Sequence, residues 1–336
     1  MFLTDYWYAA AIENDVSDKP FGRIVCNEPI VFFRDRSGVI QALEDRCCHR
    51  HAPLSLGYLD GDQIRCGYHG WRYDGAGKCT DIPSQDSIPK LAKVQSYPAV
   101  ERYGWIWVWI GDAEKADPAQ LPDLPYLEDD EYRTWHHYIY GQAAHQLYMD
   151  NLLDISHTAY LHKQTIGTPE MTKEPLKIRR DGTTVHVNRL NRGATPGPAI
   201  KRWGNFEGTV DAQSDYSWQP PAVIKLRSTR RDEKFELQYW LTNIVTPETE
   251  KTTHFWFAWA SKQLKDDPGY PADSRRAIEH TLGEDCEMIE AQQRIMDLKP
   301  GIQVFPGKAD APIVEVHRVL GELMAAEQEK LAQAAE

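Results

Sequence analysis

The sequence has no apolar run long enough to cross a bilayer. The longest strongly apolar stretch, Trp105 to Ile110, is six residues, whereas a spanning helix needs about 20. It also lacks a basic cluster. Lys and Arg number 38 against 50 Asp and Glu, a formal net charge of −12. A face built to neutralise phosphates is therefore not expected, nor is a nucleic-acid partner. No Gly-x-Gly-x-x-Gly fingerprint occurs, so no dinucleotide cradle of that kind is expected. The first residues, Met1-Phe2-Leu3-Thr4-Asp5-Tyr6, show neither the basic stretch nor the apolar core of a secretory signal. The expected compartment is the cytoplasm. Thiols stay reduced there, which turns attention from disulfides to metal binding. Internal repeats are absent.

What is present suits two domains of ordinary size in 336 residues. The 41% apolar share is enough for real cores, and eleven Trp, sixteen Tyr and nine Phe supply rings for packing or for a flat ligand. The first third reads as short strands. Ile24–Cys26, Ile30–Arg34 and Val39–Leu43 are β-rich, with turn signals at Ser37-Gly38, Asp60-Gly61 and Asp74-Gly75-Ala76-Gly77. Trp105, Trp107 and Trp109 alternate with Ile106, Val108 and Ile110, a strand covered on both faces whose Trp residues read as core. Residues 111–135, rich in Asp, Glu and Pro, mark a boundary. Domains are expected over 1–115 and 116–336. Beyond the boundary, 137–162 contains a helical stretch and 205–260 several strands. Long helices are expected over 272–297, stopped by Pro300-Gly301, and over 313–334. Strands and long helices kept at separate places indicate an α+β fold.

Two constellations carry chemistry. The first is Cys47-Cys48-His49 with Cys66-Gly67-Tyr68-His69, each beside a turn, with sixteen residues between His49 and Cys66. Two thiolates and two imidazoles suit tetrahedral zinc. They also suit a [2Fe–2S] cluster with two Cys on one iron and two His on the other. Zinc motifs usually pair like with like along the chain, but here each loop carries one of each type. A two-iron cluster accounts for that, because each loop gives a ligand to each iron. Cys26, Cys79 and Cys286 are isolated and read as small buried hydrophobes.

The second constellation is Asp150-Asn151-Leu152-Leu153-Asp154-Ile155-Ser156-His157-Thr158-Ala159-Tyr160-Leu161-His162. On a helix Asp150, Asp154 and His157 share one face. His162 lies about 140° further round from His157. The two imidazoles can share a metal only if the helix breaks, and a break is expected near 158–162. Non-haem Fe(II) takes two His and one carboxylate with other positions open. Asp285 is the candidate third ligand. Ile278, Leu282, Met288 and Ile289 surround it on the apolar stripe of the 272–297 helix, and a carboxylate buried there needs a cation. Glu284 and Glu287 fall off that stripe and read as solvated. His136, His137, His145, His186, His254, His280 and His317 show no ligand-like partners and read as satisfied or solvated.

Cys47-Cys48-His49-Arg50-His51-Ala52-Pro53-Leu54 and Cys66-Gly67-Tyr68-His69-Gly70-Trp71 resemble the cluster loops of Rieske non-haem iron aromatic oxygenases. The branch is that of vanillate and dicamba O-demethylases and toluenesulfonate methyl-monooxygenases. The commoner family form has Pro where Cys48 stands and Gly where His51 stands. Asp-x-x-His-x4-His at 154–162, and Glu284-Asp285 followed by Glu290-Ala291-Gln292-Gln293, resemble the same family's iron site. The resemblance runs from Trp7-Tyr8 to Ala325-Ala326-Glu327-Gln328.

It implies an N-terminal all-β Rieske [2Fe–2S] domain, then a helix-grip catalytic domain with an antiparallel sheet and long helices. Cys47, His49, Cys66 and His69 are the implied cluster ligands; Cys48 and His51 are spare and adjust its hydrogen bonding. His157, His162 and Asp285 are the implied ligands of a mononuclear Fe(II). Asp154 is the implied bridge between His69 and His157, crossing between subunits of a homotrimer. Asn151 is expected to approach the iron or its water, and Asn243 to line the substrate pocket. The implied activity is that of a terminal oxygenase in aromatic catabolism. It uses O2 and electrons from a reductase or ferredoxin to O-demethylate, or hydroxylate the methyl group of, a small aromatic acid. NAD(P)H enters only through the reductase. Ring hydroxylation uses the same ligands and is the alternative. An electron carrier without oxygenase activity would leave the second constellation without a purpose; a zinc-stabilised binding protein is the third reading, and iron content separates it from the other two.

Overall fold

The computed structural model describes residues 2–172, 175–262 and 269–334. The chain divides into two compact units, residues 1–121 with 246–249 and residues 122–245 with 250–336.

The first unit is built from ten short strands: β1 (Tyr6–Ile12), β2 (Phe21–Val25), β3 (Glu28–Arg34), β4 (Ile40–Glu44), β5 (Tyr58–Asp60), β6 (Gln63–Arg65), β7 (Arg72–Tyr73), β8 (Cys79–Asp81), β9 (Ala99–Arg102) and β10 (Trp105–Ile110). They form three antiparallel sheets, ordered β1-β10-β9, β2-β3-β4 and β5-β6-β7-β8. The turns are tight where the chain can adopt a positive φ, as at Gly38 and Gly61. β3 explains the layering. Its side chains alternate, so Ile30 and Phe32 enter one core with Tyr8, Ile106 and Val108. Val31 and Phe33 enter another with Leu54, Ile64, Tyr73, Cys47 and Cys66. The metal-type cysteines thus grow out of a packed apolar layer. All six residues of β10 are buried, as the Trp alternation predicts.

The second unit carries a seven-stranded antiparallel sheet. Its strands are β11 (Arg133–Gly141), β12 (Lys177–Asp181), β13 (Thr184–Ala194), β14 (Val210–Gln219), β15 (Val223–Arg231), β16 (Glu236–Pro247) and β17 (Thr253–Ser261), in the order β11-β17-β16-β15-β14-β13-β12. The helices are α1 (His145–Leu153), α2 (Thr158–Leu161), α3 (Pro198–Gly204), α4 (Tyr270–Leu298) and α5 (Ala311–Ala334). One face of the sheet is buried, with Val187, Tyr216, Leu241 and Phe257 packing in one core with Ile278, Leu282 and Ile289 of α4 and Val316 and Val319 of α5. The fold is α+β, an all-β unit followed by a large antiparallel sheet with long helices.

The stretch 137–162 contains the expected helix, α1, after the end of β11, and one local expectation changes, at Met288. The β12–β13 hairpin carries no clear strand signal, because its buried positions run Val185, Val187, Arg189, Asn191 and half of them are polar. Met288 leaves the apolar stripe and is 50% exposed. At about 100° per residue, Ile278, Leu282 and Ile289 lie about 20–60° to one side of Asp285, and Met288 about 60° to the other. Asp285 therefore sits at the margin of the stripe and Met288 beyond it.

This geometry gives a paired test. Leu282→Ala should destabilise the protein by about 2–5 kcal/mol through the cavity it leaves. Met288→Ala should change it by less than about 0.5 kcal/mol. The shift of the urea unfolding midpoint measures both, and equal effects would contradict this placement of the helix.

Candidate metal centres

In the first unit the two cluster-type loops are built alike. The Cys47 amide donates to the Ala52 carbonyl at 2.9 Å and the His51 amide to the Cys47 carbonyl at 2.9 Å. In the second loop the Cys66 amide donates to Trp71 at 2.8 Å and the Gly70 amide to Cys66 at 3.1 Å. Each loop needs a left-handed residue at its fifth position, met by His51 at φ 58° and Gly70 at φ 73°. His51 is thus a His in a glycine's conformation, which short polar-type side chains tolerate better than branched ones.

Asp45 braces the first loop by accepting from the Ser55 amide at 2.6 Å and the Ser55 hydroxyl at 2.5 Å. Arg65 braces the second, donating to the Gly70 carbonyl at 2.6 Å and to Asp81 at 2.8 Å. Cys47 and Cys66 are buried. The His49 and His69 rings meet further out, 4.7 Å apart, with Trp71 stacked on His49 at 4.8 Å. The Tyr73 hydroxyl lies 3.0 Å from Cys47 Sγ and 3.3 Å from Cys48 Sγ. Burial raises the Cys47 thiol pKa, while burial with the nearby His69 and Arg50 holds His49 below its usual value. Sulfur inside and imidazole outside suits two irons with different ligands. Among the described residues these four do not supply three donor atoms within 4.8 Å of one another, as one tetrahedral ion would require.

In the second unit His157, His162 and Asp285 do bring their donor atoms within 4.8 Å. His157 Nε2 lies 3.2 Å from His162 Nε2, and the two lie 3.3 and 3.0 Å from the same oxygen, Asp285 Oδ1. The pairing depends on where the helix ends. α1 stops at Leu153, and Asp154 leaves it at φ −100° and ψ 90°. Asp154 Oδ1 accepts from the Ser156 amide at 2.8 Å and starts a 3-10 turn over Ile155–His157. One further helical turn, α2, ends at His162. The expected break at 158–162 therefore begins earlier, and Asp154 is not on the α1 face with Asp150. An Asp two residues before a free amide competes with the helix by capping, which is the local cause.

The outer nitrogens orient both rings. His157 Nδ1 faces the main-chain carbonyl of Asp154. His162 Nδ1 donates to Glu284 Oε2 at 2.8 Å. Glu284 is thus no solvated acid, contrary to the sequence reading; off the apolar stripe, it turns toward His162. With both Nδ1 atoms engaged, two Nε2 atoms and a carboxylate oxygen crowd one point, an arrangement that suits a bound cation. Burial would raise the Asp285 pKa, but its bonds to His157 and His162 outweigh that and hold it at about 2. Burial likewise lowers His162, and its carboxylate partners overcome this and raise it.

Asn151 Nδ2 donates to Asp285 Oδ1 at 3.0 Å, so Asn151 joins the group. Asp150 instead pairs with His317 at 2.7 Å, tying α1 to α5, so His317 has a partner that sequence did not reveal. Glu290 and Gln293 accept from the Gln142 and Ala144 amides at 3.0 Å each. They tie the segment that leads into α1 to α4. Asn243 is buried on β16, and its Oδ1 has no protein partner.

Comparison with known proteins agrees with this division. The Rieske [2Fe-2S] domain model matches residues 6–98, and the vanillate O-demethylase oxygenase C-terminal domain model matches 141–326. The chain is 37% identical to a putative toluene-4-sulfonate monooxygenase iron–sulfur subunit of Comamonas testosteroni, over 97% of this chain and 98% of that one. It is 31% identical to a vanillate O-demethylase oxygenase subunit of Pseudomonas sp., over 98% and 97%. It is 32% identical to the dicamba O-demethylase oxygenase component of Stenotrophomonas maltophilia, over 87% and 88%. A crystal structure of dicamba monooxygenase bound to 3,6-dichlorosalicylic acid superposes with a TM-score of 0.92 at 30% identity, covering 97% and 99% of the two chains.

The loop geometry predicts that His51→Gly keeps the visible absorbance of the cluster, whereas His51→Val, branched at a left-handed position, loses it. The ring-orienting bond predicts that Glu284→Ala weakens Fe(II) binding at the second centre about 10- to 100-fold with the cluster absorbance unchanged. Fe(II) titration of the chelator-treated protein reads that loss, and unchanged affinity would deny Glu284 the role.

Proposed function

Because this chain belongs to the Rieske non-haem iron oxygenases of the vanillate O-demethylase type, we propose that it O-demethylates, or hydroxylates the methyl group of, a small aromatic acid. It is the terminal oxygenase component, an oxidoreductase that carries a [2Fe–2S] Rieske cluster and a mononuclear iron. The observation that carries the reading is the meeting of His157 Nε2, His162 Nε2 and Asp285 Oδ1 at one point. An electron carrier would have no use for it.

In this reading Cys47, His49, Cys66 and His69 hold the cluster, and His157, His162 and Asp285 hold the mononuclear iron. Together the two metal centres supply stored electrons and the oxidising power to break a C–H bond with O2. The polypeptide does the rest. Glu284 and the Asp154 carbonyl fix the ring orientations of His162 and His157. Asn151 holds the Asp285 carboxylate in register. Asn243, buried on the sheet, is assigned to the substrate pocket. Asp154 is assigned the bridging role between His69 and His157, across subunits of a homotrimer. A carboxylate that accepts from two ring N–H groups orients both.

One oxygen atom enters the substrate. The other leaves as water, with two electrons from the donor and two protons. Oxygen inserted into a methoxy C–H bond yields a hemiacetal, which releases formaldehyde and a phenol. A reductase or ferredoxin is the assigned electron donor, and NAD(P)H binds to the reductase. No described helix is long and apolar enough to cross a membrane. The cytoplasm is the assigned compartment, where cysteines such as Cys47 and Cys66 stay available to a metal.

The test is a single turnover of pre-reduced, fully loaded protein under 18O2, with methoxylated, methylated and unsubstituted aromatic carboxylates and sulfonates. Formaldehyde with a phenol identifies an O-demethylase, and a labelled benzylic alcohol a methyl hydroxylase. A labelled ring alcohol or diol would replace both with ring hydroxylation. Asp285→Ala should lose the mononuclear iron and all product while keeping the cluster absorbance. Product formed at the wild-type rate by that variant would sink the assignment.

A further inference from the structure

Polar groups cost most when they face a core without partners. On the core side of the catalytic sheet β13 presents Arg189 and Asn191, β14 presents Ser214 and β15 presents Ser228, and all four are buried. Arg189 pairs in register with Ser214, and Ser214 with Ser228, so the three form one row across adjacent strands. Arg189 is only 3% exposed. One of its guanidinium nitrogens donates to the Met171 carbonyl, and its Nε has no protein partner. Ser228 Oγ and Asn191 Oδ1 have none either. No described carboxylate forms an ion pair with Arg189. Burial lowers its pKa from the usual guanidinium value, with Tyr216 and Asp154 acting the other way.

A guanidinium side chain does not give up its proton in a protein. A buried charge held by one carbonyl is a poor structural element, since an apolar side chain of that length commonly serves stability better. Its place is informative. Met171 lies in the turn Pro169–Thr172, which packs against α2. Tyr216, in the next inward row of β14, donates at 2.8 Å to the Leu153 carbonyl, just before Asp154. Arg189 therefore lies under the segment that carries His157 and His162, with Ser214 beside it in the row and Ser228 one strand beyond.

We propose that Arg189, assisted by Ser228, anchors the anionic group of the aromatic substrate, a carboxylate or sulfonate, and so selects acids over neutral aromatics; this rests on the oxygenase reading of the iron site. With one nitrogen bound to Met171, the Nε side of the guanidinium is left for two oxygens of the anion, the geometry in which Arg is strongest. Ser228 Oγ–H supplies a further donor.

The experiment is isothermal titration of the fully loaded protein with 3-methoxybenzoate and 4-methylbenzenesulfonate, each against its neutral counterpart, 3-methoxybenzamide or 4-methylbenzenesulfonamide. Wild type is expected to bind at least one acid about 10- to 100-fold more tightly than its amide. The tighter acid names the substrate class. Arg189→Met should bring that ratio to about one, Arg189→Lys should retain part of it, and Ser228→Ala should reduce it less. Iron content and cluster absorbance should be unchanged in all three. The ligand-free Tm of Arg189→Met should hold or rise, because a buried charge has been removed.

The proposal is overturned if wild type shows no preference, or if the preference survives in Arg189→Met. It is also overturned if acid and amide binding fall together with Tm, which would make Arg189 a strut. Turnover separates this from the oxygenase reading. A wild type that oxygenates aromatics without preferring acids loses only the anchor. An anion preference abolished in Arg189→Met, in a protein that oxygenates nothing, keeps the anchor and removes the oxygenase.

Discussion

Three lone-pair atoms held within about 3 Å of one another, largely out of water, are costly unless a cation or a proton sits among them. His157 Nε2, His162 Nε2 and Asp285 Oδ1 are held that way, and the architecture of the catalytic unit serves that meeting. α4 carries Asp285 at the edge of its apolar face, close enough to the core to be buried and far enough from its centre to face the two histidines. α1 ends at Leu153 because the next residue caps a new turn, and that change of direction brings two histidines five positions apart onto one point. Glu284, the Asp154 carbonyl and Asn151 then remove the freedom of each of the three side chains.

The first unit solves a related problem by repetition. One turn is used twice, closed each time by an amide-to-carbonyl pair that starts and ends on the cysteine. Placed on neighbouring β-structures over a common apolar core, the two copies put sulfur inward and imidazole outward. The loops differ in the spacing of Cys and His, Cys-x-His against Cys-x-x-His, and in what occupies the left-handed position. Gly70 fits it without strain, while His51 spends some backbone energy to keep a ring at the rim.

The core face of the large sheet shows where stability yields to function. A sheet built only to pack would place apolar side chains at 189, 191, 214 and 228. This one places Arg, Asn, Ser and Ser there, three of them with an unpaired polar atom. Local rules broken together at one place commonly mark a binding site. The same break hid β13 from a strand reading, so the weak point of the sequence pattern and the candidate substrate anchor coincide.

What the sequence by itself determined was whatever depends on short spacing or on period. The two Cys/His loops, the Asp-x-x-His-x4-His run, the long α4 and α5 helices and the buried Trp strand of β10 were legible, since each rests on residues within about a turn or on steady alternation. Asp285 was legible too, because an acid on an apolar stripe is conspicuous. Tertiary structure decided the rest. Glu284 read as solvated until its partner, 122 positions away, was in place. His317 had no visible partner until α5 met Asp150. Glu290 and Gln293 accept from amides 148 and 149 positions earlier, on the approach to α1. Met288 read as core because a stripe drawn from spacing has no fixed centre until a sheet packs on one side of it. Arg189 became meaningful only as one member of a row across three strands. Long-range hydrogen bonds and cross-strand rows pair residues whose separation along the chain carries no signal, and only the packed fold brings them together.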